Sequence, residues 1–214
     1  MSSAAFIYVG IFLGFFVLME ASKRWFKLKP EHTRKVVHVG SCLLIATMPF
    51  YIQAYEVMIL AGAFIGLLLL TRFYGLFSAV QGVKRKTVGE FTLPLGAVLA
   101  AYFFLPNQVE AFQAGFVILG FSDTVAEWAG TKWKWIQVTI FGGDKSLGGA
   151  IAFFISAYIL LSILALYWGV QLSPLKLVAG LVLLTFVELS QSFGIDNMFI
   201  PVTTAIVWEW CLVE

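Results

Sequence analysis

Between Leu147 and Trp168 the chain reads LGGAIAFFISAYILLSILALYW, a run that contains no Asp, Glu, Lys, Arg or His. A helix of about 20 residues crosses the hydrocarbon core of a bilayer, and an uncharged apolar run of this length is typical of such a helix. The run therefore predicts a membrane-spanning helix and a membrane environment for the residues around it.

The composition of the whole chain excludes a water-soluble protein. Of its 214 residues, 60% are hydrophobic and only 12% are charged, and the mean hydropathy is +0.91. A soluble domain of this size cannot bury so much apolar surface, and a disordered chain would be far more polar. Cys42 and Cys211 lie in apolar segments without metal-binding spacing, so we expect buried free thiols. We predict an integral membrane protein in which residues 1–214 form one domain.

Apolar segments recur along the chain and predict an all-α, polytopic bundle of about eight membrane-spanning helices, in a range of about seven to nine, joined by short loops. The predicted spans are Ala4–Met19, Val36–Phe50, Val57–Leu70, Phe91–Leu105, Phe112–Trp128, Leu147–Trp168, Leu175–Leu189 and Met198–Val213. The N-terminus lacks the basic region of a cleaved signal peptide, so we expect the first span to be retained. Such a bundle leaves no room for a soluble domain, and any chemistry must lie in loops and helix ends.

Basic residues are distributed unequally between the connections. The first connection holds Lys23, Arg24, Lys27, Lys29, Arg34 and Lys35, the third holds Arg72, Lys84, Arg85 and Lys86, and the fifth holds Lys132, Lys134 and Lys145. Of the 14 basic residues, only Lys176 lies in an even-numbered connection. The positive-inside rule therefore places the odd-numbered connections in the cytoplasm and both termini on the opposite side. This clustering and the net charge of +2 do not indicate nucleic-acid binding.

A first polar cluster, Glu31–His38, directly follows Pro30. Proline favours the first turn of a helix, so the second helix is expected to begin here. Arg34 and His38 are four residues apart and share a helix face. An anchor of positive residues at the membrane surface is an alternative interpretation. His38 argues against it, because an imidazole one turn inside an apolar helix is costly without a partner.

A second cluster, before the fourth apolar segment, contains the basic triplet Lys84–Lys86 and Glu90. The positive-inside pattern is sufficient to explain the triplet. Glu90 lies where the fourth helix is expected to begin, so it is either a partner of the helix dipole or a functional carboxylate.

A third cluster places two carboxylates in the fifth apolar segment. Asp123 and Glu127 are four residues apart and would share one helix face. Like charges so close in an apolar setting repel each other unless a cation intervenes, and Mg²⁺ is a hard cation that prefers oxygen ligands. Ala126 and Gly130 are small residues at nearby positions, which permits close approach of another helix.

The same cluster continues at Gly142-Gly143-Asp144-Lys145-Ser146, which we predict to open the sixth helix. Glycines leave backbone N–H groups accessible, a helix N-terminus favours anions, and Lys145 adds a positive charge. The segment is therefore interpreted as a phosphate cradle, although the GxxxxGK[ST] pattern is absent. A glycine-rich loop with a simple helix cap is the alternative.

A fourth cluster combines Glu188, inside an apolar segment, with Asp196 and Asn197 before the last one. Asp196 and Asn197 alone would be explained as a helix cap. The carboxylate of Glu188 favours a polar pocket instead.

These clusters lie at one predicted membrane face and indicate phosphoryl or nucleotidyl transfer to a lipid, which depends on positioning and charge neutralisation. Five motifs occur in a fixed order over Glu31–Pro201. They are Arg34-Lys35-x-x-His38, Gly89-Glu90 followed by Pro94, Asp123-x-x-Ala126-x-x-x-Gly130, Lys145-Ser146-x-x-Gly149, and Glu188 with Asp196-Asn197 and Pro201. In this order the motifs resemble the membrane lipid kinases grouped as dolichol kinases, phytol kinases and CTP-dependent diacylglycerol kinases, the polyprenol kinase family. The compact chain is most similar to phytol kinase-type members.

The resemblance implies transfer of the γ-phosphoryl group of CTP, or of ATP, to an isoprenoid alcohol of the phytol, polyprenol or dolichol type at the cytoplasmic interface. In the family, the motifs that begin at Asp123 and Lys145 are regarded as the nucleotide-binding region. Lys134, Asp144 and Gly148 depart from the family pattern, which often has a glycine, a basic residue and an acidic residue there. These departures bear on the choice of nucleotide.

The resulting hypothesis assigns roles to residues from all four clusters. The catalytic candidates are Asp123, Lys145, Arg34 and His38, and the nucleotide-binding candidates are Lys35, Ala126, Gly130, Gly142, Gly143, Ser146 and Gly149. The candidate Mg²⁺ ligands are Asp123, Glu127, Asp196 and Asn197, and Glu90 and Glu188 are further candidates. The partners are a lipid alcohol and a nucleoside triphosphate, without nucleic acid, and the sequence does not indicate an oligomeric state.

Two other functions are compatible with the same residues. A CDP-lipid synthase would use CTP and a lipid phosphate at a similar interface. A small transporter coupled to protons or cations would use intramembrane carboxylates such as Asp123 and Glu188, but the internal repeats common in transporters are not evident.

Overall fold

The computed structural model describes residues 1–74, 88–133, 135–140, 143–191 and 193–213. The helices of the described part are α1 (Ser3–Trp25), α2 (Pro30–Thr47), α3 (Ala54–Phe73), α4 (Gly89–Phe104), α5 (Val109–Lys132), α6 (Leu147–Trp168), α7 (Pro174–Ser190) and α8 (Asp196–Cys211). Each predicted apolar segment overlaps one of these helices, and α2 begins at Pro30 as predicted. Gly142, Lys134 and the triplet Lys84–Lys86 lie outside the described residues.

Four helices, α1, α3, α5 and α6, are long and apolar enough to cross a membrane, as judged by length and composition. Helix α4 is apolar but shorter. Large apolar side chains on these helices point outwards, among them Phe6, Leu18, Leu69 and Leu166. An extended apolar surface of this kind is typical of membrane contact. Eight crossings remain a prediction, because α2, α7 and α8 do not meet the same measure in the described residues.

Helix α8 packs against α4, α5 and α7 with one face, while Phe199, Ile206 and Trp210 are exposed on the other. Its Trp208 is completely buried. A Cβ atom added to Gly96 of α4 would lie 2.6 Å from the carbonyl oxygen of Asn197, and one added to Gly115 of α5 would lie 2.5 Å from that of Pro201. Small residues permit this close backbone approach, as is common between membrane helices. The N-terminus of α8 is thereby fixed beside α4 and α5.

Helix α5 contains a π-helical turn at Leu119–Asp123, between α-helical segments at Val109–Ile118 and Thr124–Lys132. Such turns occur frequently at functional sites. The turn packs against α2, and a Cβ atom added to Gly120 would lie 2.9 Å from the Cβ atom of Cys42. Asp123 ends the turn, so its carboxylate is placed next to α2.

A short β-hairpin precedes α6 and corrects the prediction for the glycine-rich segment. Strands β1 (Gln137–Ile140) and β2 (Gly143–Ser146) pair antiparallel, with Val138 opposite Lys145. Ser146 is the N-cap of α6, with φ −133° and ψ 150°, and its Oγ accepts a hydrogen bond from the Gly149 N–H. Lys145 is therefore a strand residue and not part of a helix start, because the serine cap begins the helix one residue later. The bundle is helical apart from this hairpin within the described residues.

Both cysteines are buried free thiols, as predicted. Cys42 and Cys211 have no exposed surface. They behave as small apolar side chains between packed helices.

Candidate active site

A polar cavity of about 350 Å³ lies where α2, α5, the hairpin and the α7–α8 connection meet. Most of the residues selected from the sequence line it: Arg34, Lys35, His38, Asp123, Ala126, Glu127, Gly130, Lys145, Ser146, Gly149, Glu188, Asp196 and Asn197. Three of the four clusters, which are far apart in the chain, thus surround one space. We name this space the polar cavity.

The cations of α2 form one side of the polar cavity. Arg34 Nη2 lies 3.3 Å from Glu127 Oε1, and Lys35 Nζ lies 3.5 Å from Glu127 Oε2. Nε of Arg34 is buried and has no hydrogen-bond partner among the described residues. The guanidinium therefore retains a donor for a further oxygen.

His38 lies deeper in the polar cavity, one turn further along α2. Its Nε2 atom is 3.3 Å from the carbonyl oxygen of Leu119 and 3.8 Å from Oδ2 of Asp123. A carbonyl oxygen only accepts hydrogen bonds, so Nε2 carries the hydrogen in this contact. The π-helical turn thus supplies the partner that an imidazole in an apolar helix requires.

Lys145 faces α2 from the other side of the polar cavity. Its Nζ donates a hydrogen bond of 2.6 Å to Glu188 Oε1 and lies 3.9 Å from Asp196 Oδ2. Burial by itself disfavours the ammonium, but the charges of Glu188, Asp196 and Asp123 outweigh this effect and raise the pKa of Lys145 above its ordinary value. Lys145 is therefore a permanent cation near neutral pH.

Asp196 and Asn197 form the first turn of α8, and the N-cap position is taken by Ile195. Asp196 Oδ1 accepts a hydrogen bond of 3.1 Å from the Asn197 N–H, and Asn197 Nδ2 donates one of 2.9 Å to the Gly89 carbonyl oxygen. Asn197 therefore fastens α8 to the start of α4. Both residues also line the polar cavity, which favours the pocket interpretation over a simple cap.

Glu90 lies outside the polar cavity, although the sequence made it a candidate. It occupies the first turn of α4, and its Oε1 atom accepts a hydrogen bond of 2.9 Å from Nη1 of Arg72 on α3. An acidic residue here also complements the helix dipole. The structure thus places Glu90 in an ion pair between α3 and α4.

The small residues of the third cluster act by permitting close packing. A Cβ atom added to Gly130 would lie 3.0 Å from Ser146 Oγ, and one added to Gly149 would lie 2.9 Å from the Ala126 carbonyl oxygen. Helices α5 and α6 therefore cross with their backbones in near contact, as Ala126 and Gly130 predicted. The crossing forms the floor of the polar cavity.

The expected magnesium site is not fully formed by protein side chains. Within the described residues, no group of three or more His, Cys, Asp or Glu side chains is arranged to hold a metal ion. Glu127 is compensated by Arg34 and Lys35, so its proximity to Asp123 does not by itself require a metal. A buried atom, Oε2 of Glu188, has no hydrogen-bond partner among the described residues. Mg²⁺ commonly takes one or two carboxylates together with phosphate oxygens, so a magnesium site at the carboxylates beside Lys145 stays a prediction.

Several residues of the polar cavity were not selected from the sequence. Gln137, Thr131 and Gln191 line it, as do Phe193 and Gly194. Phe193 and Gly194 have φ angles of 60° and 89°, and the Phe193 carbonyl oxygen accepts a hydrogen bond of 2.8 Å from the N–H of Val88. Gly194 indicates a turn in the sequence, but nothing in the sequence singles out Gln137 and Gln191. These two side chains reach the cavity only because two separate connections fold towards it.

An apolar helical bundle with a charged cavity among the described helix ends is typical of a membrane protein with a polar site at the membrane surface. No protein-family model and no solved structure matches the chain. The chain is similar to a protein named phytol kinase from Synechocystis sp., with 27% identity over 207 residues that cover 92% of this chain and 86% of that protein. This similarity supports the relationship to the polyprenol and phytol kinase family that the motifs predicted. At the level of the family, this relationship supports a lipid kinase.

Proposed function

We propose that the chain is a multi-pass membrane kinase that transfers the γ-phosphoryl group of a nucleoside triphosphate, CTP in the first place, to an isoprenoid alcohol. The observation that carries the proposal is the polar cavity, in which the cations Arg34, Lys35 and Lys145 face a group of carboxylates. Phosphoryl transfer depends mainly on positioning and on electrostatic stabilisation, which such a cavity supplies.

The cations of the polar cavity suit a triphosphate. Arg34 and Lys145 are already oriented by Glu127 and Glu188, and phosphate oxygens would replace part of these contacts. Lys145 remains charged because the surrounding carboxylates raise its pKa. The Ser146 hydroxyl lines the same space and can donate a hydrogen bond to a phosphate oxygen.

Asp123 and Asp196 would hold Mg²⁺ together with the nucleotide, with Asn197 as a further oxygen ligand. The ion would neutralise charge on the β- and γ-phosphates during transfer. Glu188 would remain the partner of Lys145, and Glu127 that of Arg34 and Lys35. This arrangement keeps the ion pairs of Lys145, Arg34 and Lys35, so these cations stay oriented towards the space that the phosphates would occupy.

The acceptor hydroxyl would lie beside Asp123 and His38, at the inner end of the polar cavity. Asp123 would accept its hydrogen bond and take its proton while the new oxygen–phosphorus bond forms and the bond from the γ-phosphorus to the nucleoside diphosphate breaks. His38 carries a hydrogen on Nε2, so we assign it to the positioning of Asp123 and of phosphate and not to proton abstraction.

The polar cavity would face the cytoplasm. Its basic residues Arg34, Lys35 and Lys145 belong to the first and fifth connections, which the positive-inside rule assigns to that side. Nucleoside triphosphates are available there, so the proposed donor and the proposed orientation agree.

The proposal is tested by incubating the purified protein with γ-labelled CTP or ATP and a panel of phytol, farnesol, dolichol and diacylglycerol. We expect label to move to an isoprenoid alcohol with release of CDP or ADP. Release of pyrophosphate and formation of a CDP-lipid would instead support a synthase. Absence of any nucleotide turnover, combined with lipid-independent ion uptake in vesicles, would support a transporter.

The Asp123→Asn variant, run in the same assay, should transfer label slower by about two orders of magnitude or more, because both the proton acceptor and a metal ligand lose their charge. Glu110→Gln is the matched control, since Glu110 is a carboxylate on the first turn of α5, at the end opposite the polar cavity. Normal transfer by a well-folded Asp123→Asn protein would remove Asp123 from the mechanism.

A further inference from the structure

A second cavity, which we name the apolar cavity, lies between α1, α2, α3 and α4. Its volume is about 100 Å³, and its walls are mainly apolar side chains such as Phe12, Val37, Leu60, Phe64 and Leu93. None of these residues was selected from the sequence, since each reads as an ordinary residue of a membrane helix. The apolar cavity must therefore be interpreted from the structure alone.

The apolar cavity adjoins the polar cavity. Arg34, His38 and Asn197 line both spaces. Glu90 and Gly89 also line the apolar cavity, and the Gly89 carbonyl oxygen accepts a hydrogen bond from Asn197. One end of the apolar cavity thus lies next to the proposed site of transfer.

The apolar cavity is elongated. Along α2 its lining runs from Arg34 to Ile45, a distance of about 16 Å at the helical rise of 1.5 Å per residue. Its lining on α4 runs from Gly89 to Ala97. An elongated apolar lining matches an extended hydrocarbon chain better than a compact ring system.

Small and aromatic side chains give the apolar cavity its shape. Ala61 on α3 and Ala97 on α4 are small and buried, which leaves room between the helices. Phe12, Phe16 and Phe64 pack against one another, with ring centroids 5.0 to 6.3 Å apart, and form a wall on the α1 side. Apart from the polar residues at the end near Arg34, Ser41 is a polar side chain within this lining.

We propose that the apolar cavity holds the hydrocarbon chain of the acceptor alcohol, with the hydroxyl at Arg34, His38 and Asn197 and the chain directed along α2 towards Ile45. This inference rests on the proposed function, because it assigns the tail of the same substrate whose hydroxyl lies beside Asp123. An apolar chain is the occupant that matches an elongated apolar lining whose one end adjoins the proposed site of transfer. The room that Ala61 and Ala97 leave between α3 and α4 would then determine which hydrocarbon chains the cavity accepts.

The first test uses a larger side chain at position 61, which would narrow the apolar cavity about halfway along its length. Ala61→Leu should raise KM for phytol about tenfold or more, since pocket contacts of one or a few methylene groups have effects of this size. It should raise KM for the five-carbon alcohol 3-methylbut-2-en-1-ol less, because a short chain does not reach Ala61. Ala63→Leu is the matched control, as Ala63 is exposed two residues further along α3. Equal KM ratios for both alcohols in the Ala61→Leu and wild-type proteins would overturn the assignment.

A second measurement does not depend on the variant. A phytol analogue with a photoreactive diazirine in the middle of its chain is cross-linked to the wild-type protein, and the modified peptides are mapped. Adducts on Leu60, Phe64 or Leu93 support the proposal, whereas adducts confined to outward-facing residues such as Leu69 and Leu166 overturn it. If no lipid alcohol is phosphorylated at all, the proposed function fails, and the adduct map still shows independently whether the apolar cavity binds an isoprenoid chain.

Discussion

Lys145 is the residue on which the charges of the polar cavity converge. Its ammonium contacts Glu188 at 2.6 Å and lies 3.9 Å from Asp196. A buried cation between carboxylates is stabilising only as long as its partners remain, and removal of one partner leaves an uncompensated charge. Lys145 therefore has a structural role in the free protein and, in the proposed reaction, a role in neutralising phosphate.

The two roles of Lys145 can be separated by mutation. Lys145→Ala should lower kcat/KM about 10²–10³-fold, because a cation that stabilises the transferred phosphoryl group is lost. Lys176 is a basic residue at the opposite end of the bundle, so the control variant Lys176→Ala should leave the activity unchanged.

The double variant Lys145→Met and Glu188→Gln removes both charges together. It should recover the thermal stability that Lys145→Ala loses but should not recover phosphoryl transfer. Recovery of the activity would show that Lys145 acts only on the fold. Activity is measured by label transfer to lipid, and stability by an apparent Tm in detergent.

Three features of the helices position the polar cavity: the π-helical turn of α5, the crossing of α5 and α6, and the first turn of α8. The turn brings Asp123 to His38, and the crossing brings the hairpin with Lys145 over the same space. The first turn of α8 supplies Asp196 and Asn197. Each feature depends on backbone approach at small residues, so the site is as sensitive to added methyl groups as to lost charges.

Gly149→Ala tests the crossing of α5 and α6. The added Cβ would lie 2.9 Å from the Ala126 carbonyl oxygen, and overpacking of this kind costs about 1–3 kcal/mol. The apparent Tm should therefore fall. Gly66→Ala is the control, because a Cβ atom there meets nothing within 4 Å, and its Tm should stay the same or rise. Equal Tm values for the two variants would contradict the close crossing.

The positions of the helices could be predicted from the sequence, because long apolar segments have few alternatives in a membrane. The hairpin could not, since Gly143–Ser146 is short and its glycines and serine suit a turn, a strand end or a helix cap equally. Asp123, Glu188 and His38 were recognised because a polar side chain in an apolar segment requires a partner. The partners themselves, such as Leu119 for His38, became known only from the fold.

At the scale of the whole molecule, charged groups and apolar surface are separated. The polar cavity lies among the ends of α2, α5, α7 and α8, and apolar side chains such as Phe6 and Leu166 cover the outside of the bundle. The apolar cavity lies inside the bundle, next to the polar cavity. Neither its path nor its width could be predicted, because Ala61 and Ala97 come together only when α3 packs against α4.

The orientation of the bundle in the membrane can be tested by maleimide labelling of introduced cysteines, because the two native thiols are buried and should react little. Cys42 and Cys211 have no exposed surface, so a membrane-impermeant maleimide should not label the native protein in intact cells. Lys176→Cys should be labelled from outside, whereas Lys29→Cys should be labelled only after the membrane is permeabilised. The reverse pattern would place the polar cavity on the outer side and contradict a cytoplasmic nucleotide donor.

Arg34, His38 and Asn197 line both cavities, so they lie at the boundary between a charged space and an apolar one. In the proposed reaction, an alcohol in the apolar cavity would place its hydroxyl at this boundary, and water would be displaced as a competing acceptor of the phosphoryl group. Without the alcohol, water would reach the same position and hydrolyse the nucleotide. The fraction of nucleotide lost to water would then measure how well a given chain fits.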